Sequence, residues 1–227
     1  MIPDADSLTL AEHGAERHRG AIGPGDLDAL ARAVADFPPD RAGVRLHGVA
    51  ALAPLLAATG AVGTVAAVHL GRSCRPVRAL MLDKSAAANW SLAWHQDRTI
   101  VVAERREVAG FGPWSVKAGL IHVAPPVAIL EGMLTLRVHL DAVGMDNAPL
   151  LVAPASHRLG RVAEADIPDV VKTCGRAVCL AEAGDVWAYA TLILHASEAA
   201  RAPKRRRVVQ IDYAVDELPN GLQWLGV

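Results

Sequence analysis

The stretch Gly184-Asp185-Val186-Trp187-Ala188-Tyr189-Ala190-Thr191-Leu192-Ile193-Leu194-His195-Ala196-Ser197 decides the fold class. A Gly-Asp turn signal leads into two short apolar runs, at 186–189 and 192–195, and each reads as a strand. Segments of the same kind lie at 76–82, 100–103, 134–140, 150–152, 177–180 and 208–214, with Gly144, Asn147, Pro149 and Gly160 among the residues that separate them. About eight short strands bounded by turns predict a jelly roll, or double-stranded β-helix.

Upstream the pattern changes. Leu27, Leu30, Ala31, Val34 and Phe37 recur at helical spacing behind Asp26, a candidate cap, and Pro38-Pro39 would stop the helix. Two more helical patterns span 49–59 and 62–70, ending at Gly60 and Gly71. The expected architecture is α+β: one domain over 1–227, with a helical N-terminal part at 1–72 packed against a jelly-roll core at 75–216. Residues 104–126 lack clean periodicity and carry three glycines and three prolines, so they are expected to form a loop, for example a lid.

The chain is 52% hydrophobic with only 4% aromatic residues, so Ala, Val and Leu must fill most of its core. A net charge of -1 gives no electrostatic case for nucleic acid or an anionic membrane as the main partner. No apolar run reaches the ~18 residues of a membrane span, and the acidic N-terminus does not read as a signal peptide. Cys74, Cys174 and Cys179 lack C-x-x-C spacing and are expected to be reduced thiols, which suits a cytoplasmic protein.

His95-Gln96-Asp97 closes an extended stretch at 90–94. Residues two apart on a strand share a face, so an imidazole and a carboxylate are presented together. A second imidazole would complete the facial triad of a non-haem Fe(II) oxygenase, which leaves three metal positions open for a 2-oxo acid and O2. Of nine histidines, His195 has the most fitting context, because the apolar run at 192–194 delivers it from a buried strand. His122, His139 and His157 compete with it. Taken alone, H-x-D is common on surfaces, and a histidine after an apolar run is often a satisfied core residue.

Eleven residues after His195 stands Arg206, within the basic run at 201–207. A hairpin would bring it beside the end of the His195 strand, where a guanidinium can grip a carboxylate bidentately. Sequence does not decide among Arg205, Arg206 and Arg207, and much of the run reads as surface.

These residues resemble the phytanoyl-CoA dioxygenase (PhyH) family, in the family's order, from about 76 to 214. Leu82-Asp83-Lys84 is similar to the lysine segment ahead of the first metal ligands. Trp94-His95-Gln96-Asp97 matches the H-Q-D form of H-x-D. Asn147-Ala148-Pro149-Leu150 through Pro154-Ala155-Ser156-His157 resembles "N-G-P-L…P-G-S-H", with Ala148 and Ala155 where glycines are usual. Gly184-Asp185-Val186 and Leu194-His195-Ala196-Ser197 match the distal histidine segment, and Arg206 follows at the family's distance.

The resemblance implies Fe(II), 2-oxoglutarate and O2, with succinate and CO2 as co-products. It implies iron on His95, Asp97 and His195, and 2-oxoglutarate on Arg206, with Lys84, Gln96 and Ser197 as further pocket candidates. A carboxylate at position 97, where halogenating relatives have Gly or Ala, favours hydroxylation of a small molecule. Arg98, Arg105, Arg106, Trp114, Lys117 and Arg137 are candidates to contact it. The alternatives are a cupin-like metal enzyme that does not use 2-oxoglutarate, or a non-catalytic metal- or ligand-binding module. Substrate identity and oligomeric state stay open.

Overall fold

The computed structural model describes residues 5–38 and 43–227; Pro39, where the first helix was expected to stop, and the first four residues lie outside them. Thirteen strands follow in order: β1 Ala15–His18, β2 Val44–Arg45, β3 Arg75–Lys84, β4 Leu92–His95, β5 Ile100–Val102, β6 Trp114–Lys117 and β7 Leu120–Val123, then β8 Leu134–His139, β9 Leu150–Val152, β10 Ala177–Cys179, β11 Val186–Ala190, β12 His195–Ser197 and β13 Arg206–Ala214. They form a six-stranded sheet, β1-β11-β8-β13-β3-β2, a four-stranded sheet, β10-β9-β12-β4, and a three-stranded sheet, β5-β7-β6. The first two are the faces of a jelly roll, and every pairing between strands is antiparallel.

The pleat of the six-stranded sheet explains where the core and the cavity lie. Residues directly opposite each other in an antiparallel pair point to the same face. Ala79 and Met81 on β3, Leu134, Leu136 and Val138 on β8, Val186 and Ala188 on β11, and Val209 and Ile211 on β13 form one buried cluster. Leu30, Leu52, Leu56, Val65 and Ala66 from the N-terminal helical segments complete it. The alternate positions, including Arg78, Leu80 and Lys84 on β3, Arg137 on β8 and Arg206, Gln210 and Asp212 on β13, face the other way, into the barrel. The polar half of this alternation is therefore interior, facing a cavity rather than bulk water.

Helix Pro24–Ala33 starts on Gly23 with Pro24 at its first position, and Asp26 sits in its first turn instead of capping it. Helix Gly63–Leu70 ends at Gly71, where the sequence places its end. The expected helix at 49–59 is instead a 3₁₀ turn, Ala50–Leu52, followed by the short helix Ala53–Leu56. The segment ends there with Ala57 extended at ψ 151°. β1 and β2 are contributed by the part expected to be helical, so the first third is mixed.

The expected lid at 104–126 is also corrected. Its second half is a hairpin, β6 and β7, which pairs with β5. Ala118 and Gly119 at its tip both have positive φ, 49° and 79°, as a tight two-residue hairpin turn requires. Arg105 and Arg106 pair with Glu107 and Glu104 on the exposed part of this segment. Helix Ile167–Cys174 was likewise not read from the sequence.

The three cysteines are unpaired. Among the described residues no helix is long and apolar enough to cross a membrane.

Candidate metal and 2-oxoglutarate site

β4 ends on His95 and β12 begins on His195, and the two residues are directly paired. Their rings lie 4.2 Å apart between centroids. Turn chemistry delivers His195: Ser156 Oγ accepts a hydrogen bond from Leu194 N at 2.9 Å, so the Pro-Ala-Ser-His turn holds the residue just before it. Gly184, with φ +89°, lets the chain pass Ile22, whose carbonyl oxygen would lie 2.6 Å from any Cβ there. Asp185 fixes that turn by accepting from Gly20 N and Glu182 N and by pairing with Arg17.

Each imidazole has one nitrogen committed. His95 Nδ1 lies 2.8 Å from Ala93 O, and His195 Nδ1 lies 3.0 Å from Ile193 O. A carbonyl only accepts, so both Nδ1 atoms carry a proton, and in the neutral rings the lone pair is left on Nε2. Fixing the tautomer through a hydrogen bond from the other ring nitrogen is how proteins prepare histidine for a metal. Burial, together with the neighbouring His95, pulls His195 down to about 3, so it is a neutral donor at ordinary pH.

Asp97 completes the set. Burial alone would raise its pKa, but Arg78, the two imidazoles and Arg137 outweigh it and hold the carboxyl below the usual carboxylate range. Arg78 lies 3.2 Å from Asp97 Oδ2, and Gln210 Nε2 donates to the same oxygen at 3.3 Å. Arg78 is anchored by Asp212 at 2.5 Å, and Asp212 also accepts from Thr135. The donor atoms of His95, Asp97 and His195 do not all lie within 4.8 Å of one another, and Asp97 Oδ2 is engaged by Arg78 and Gln210. The donor types, the free Nε2 atoms and the ionised carboxylate fit a mononuclear ferrous site.

Beside the donors is a cavity of about 100 Å³, whose lining includes Leu80, Trp90, Leu92, Arg137, Ser197, Arg206 and Gln210. Arg206 is 2% exposed. It hydrogen-bonds Ala148 O and reaches Ser197 Oγ at 3.4 Å, while its Nε is buried without a partner. Burial and the charge of Arg137 pull Arg206 down to about 9. The basic run is thereby sorted: Arg205 is exposed beside Asp83, and Arg207 is bound by Asp141, so Arg206 alone of the three enters the barrel.

Lys84 pairs in register with Arg206 and donates to Ser197 Oγ and Glu198 O, both at 2.9 Å. It sits behind Ser197 and touches the cavity through it. Burial, then the charges of Arg206 and Arg137, lower Lys84 to about 7. Among the described residues Asp97 is the only carboxylate that lines this cavity, and it faces Arg78, which it shares with Asp212, and Arg137. Arg206 has no carboxylate partner there.

Gln96 does not line this small cavity but a wider one on the other side of His95. Its amide nitrogen donates to Gly160 O and Leu192 O, and its oxygen accepts from Val162 N. Both amide hydrogens and one oxygen lone pair are held by backbone groups, so Gln96 braces the loops beside His95 and Asp97. Arg98 is occupied with Val162 O and Glu164. Arg78, Arg137 and Gln210 were missed as site residues or left undecided, because strand parity shows their facing only once the barrel interior is known.

A wider cavity of about 470 Å³ shares His95 and is lined by Trp94, Arg98, Glu164, Ile167, Pro168 and Val171. A third, of about 290 Å³ between Met145, Pro149, Arg176 and Arg201, holds no triad residue.

β12 and β13 do not form the expected hairpin: His195 and Arg206 reach the one cavity from the two different sheets. A jelly roll that carries this donor set and a buried arginine facing it defines the class of 2-oxoglutarate-dependent, non-haem iron oxygenases. The chain belongs to the phytanoyl-CoA dioxygenase (PhyH) family, whose model matches residues 13–208. The apo crystal structure of EctD from S. alaskensis is similar in fold, with a TM-score of 0.68 at 17% identity over 96% of this chain and 78% of that one. AviO1 from Streptomyces viridochromogenes Tue57 gives 0.63 at 17% identity over 97% of both chains. HygX from Streptomyces hygroscopicus, with nickel and 2-oxoglutarate bound, gives 0.60 at 12% identity over 92% and 87%. At such identities the likeness is one of fold. No curated protein matches the sequence.

Proposed function

We propose that His95, Asp97 and His195 hold Fe(II), that Arg206 holds the distal carboxylate of 2-oxoglutarate, and that the chain, acting as a single domain, hydroxylates a small molecule. The observation that carries this reading is the buried guanidinium of Arg206 with a free Nε, facing a cavity in which no carboxylate pairs with it. A dianionic co-substrate supplies the missing charge. Bound iron supplies the oxidative step: one oxygen atom of O2 enters the substrate C–H bond, the other enters succinate, and CO2 leaves.

The protein's own groups do the positioning. Arg206 grips the carboxylate bidentately. Ser197 and Lys84 support Arg206 from behind, and the Nδ1 hydrogen bonds fix both imidazole planes. Leu80, Leu82, Trp90 and Leu92 keep the small cavity largely apolar around its charged end. Dry walls strengthen each charged contact within.

The 470 Å³ cavity at His95 is our candidate for the substrate. Its walls combine Trp94, Ile167 and Val171 with Arg98 and Glu164, which suits a compact molecule bearing both apolar and polar groups. Solved structures of EctD with 5-hydroxyectoine and of HygX with hygromycin B support a small-molecule substrate in general terms. Unpaired cysteines favour a reducing, cytoplasmic setting.

The test is succinate formation by iron-loaded protein supplied with 2-oxoglutarate and O2. His95→Ala is expected to abolish it. Full succinate production by that variant would remove the iron assignment, and iron-dependent activity without 2-oxoglutarate would favour the cupin-like reading.

A further inference from the structure

Glu16, His18 and His69 lie on the opposite face of the six-stranded sheet from the cavity. Glu16 and His18 are two residues apart on β1, so they share a face. They pair with Ala188 and Val186 of β11, whose side chains belong to the cluster covered by the helices. Helix Gly63–Leu70 contributes Val65 and Ala66 to the same cluster and brings His69, in its last turn, against His18.

The donor atoms of the three side chains all lie within 4.8 Å of one another. His18 Nε2 and His69 Nε2 are 3.0 Å apart, with ring planes at 73°. Glu16 Oε1 is 3.9 Å from His18 Nε2, and its other oxygen is steadied by Leu10 N at 3.0 Å. Adjacent ligands on a metal with bonds of about 2.0–2.1 Å sit roughly 2.8–3.4 Å apart, the shorter value for octahedral and the longer for tetrahedral geometry. The His–His distance falls in that range. A shared N–H between two neutral imidazoles would account for the pair but not for the Glu16 oxygen set within the same donor cluster.

We propose that Glu16, His18 and His69 form a second, peripheral metal site for a divalent transition metal of the zinc kind. Two imidazoles and one carboxylate are borderline donors of the type Zn²⁺ accepts, and water can complete its shell. The ion clamps the edge strand β1 to helix Gly63–Leu70 and is structural, because the sheet separates it from the cavity.

The probe is Zn²⁺ alone, added to the full chain and measured as metal content after dialysis. His69→Ala is expected to hold one Zn²⁺ fewer per chain than the parent, whatever the parent holds at His95, Asp97 and His195. His95→Ala keeps the peripheral ion, and His69→Ala loaded with iron turns over 2-oxoglutarate as the parent does. Equal zinc content in parent and His69→Ala overturns the proposal. Glu16→Gln, a near-isosteric change, decides the matter if His69→Ala does not fold. It is expected to weaken Zn²⁺ binding by at least roughly ten-fold in competition with a chelator. Unchanged affinity in Glu16→Gln overturns the proposal as well.

Discussion

Arg206 is buried at the head of β13 with part of its hydrogen-bonding capacity unused, and its neighbours Arg205 and Arg207 already have carboxylates of their own. A charged hydrogen bond contributes about 1.5–3 kcal/mol. Arg206→Ala should therefore raise the KM for 2-oxoglutarate roughly ten- to hundred-fold, read from succinate formation at graded co-substrate concentration. An unchanged KM, with a raised one in Arg207→Ala, would move the anchor. Lys84 gives a pH signature to the same pocket. With its ammonium lowered to about 7, the free protein loses that charge above neutrality, whereas a bound dianion favours its retention. Binding then takes up a proton, so affinity for 2-oxoglutarate should fall as pH rises from 7 to 9. Lys84→Met should flatten this dependence, and an equally steep profile in that variant would contradict it. Spacing and context in the sequence pointed to His95, Asp97, His195 and Arg206, and the structure brings all four to one cavity. The place of Arg78 and the facing of Arg137 were not legible, since only the assembled barrel shows that the polar side of β3 and β8 faces inward.

Turns control the elements that carry these residues, and some of them are built from residues ill suited to the backbone they adopt. Ala148 and Ala155, standing where the family resemblance has glycines, have φ of 53° and 64°. The left-handed region costs an L-residue about 1–2 kcal/mol, partly offset in any Gly variant by the greater freedom of the unfolded chain. Ala155→Gly should stabilise the protein by ~0.5–1 kcal/mol, seen as a higher denaturant midpoint at unchanged slope. A lower midpoint would show that the helical turn after Ala155 depends on its methyl group. Two elements leave little trace in the sequence, each for its own reason. Ala118-Gly119 makes the hairpin turn that Asn-Gly usually announces, so β6 and β7 looked like a loop. β1 is short and mostly polar, Ala-Glu-Arg-His, and becomes a strand because β11 offers it an edge. The strands that were legible, such as 150–152 and 208–214, have apolar runs bounded by turn residues.

Across the whole molecule, one large sheet divides two environments, an apolar one beneath the helices and a charged one inside the barrel. His139 belongs to the second: it is buried, both ring nitrogens lack partners, and burial with Arg206 and Arg137 pulls it down to about 3. An unfolded imidazole takes up its proton near ~6.5. The unfolded state therefore binds more protons between those values, and stability falls as pH drops from about 6.5 toward 3. His139→Leu should remove up to ~1.4 kcal/mol per pH unit from that slope, measured by urea unfolding between pH 7 and 5. A slope equal to the parent's would contradict the assignment.

The central claim is that iron and 2-oxoglutarate meet inside this barrel. Its most direct measurement is an anaerobic titration of the protein with Fe(II) and 2-oxoglutarate, followed by the visible charge-transfer absorption of an iron-chelated 2-oxo acid. The account predicts a band that saturates at one iron per triad, is absent in His195→Ala, and in Arg206→Ala needs far more 2-oxoglutarate. No band in the parent, or an undiminished band in His195→Ala, would contradict it.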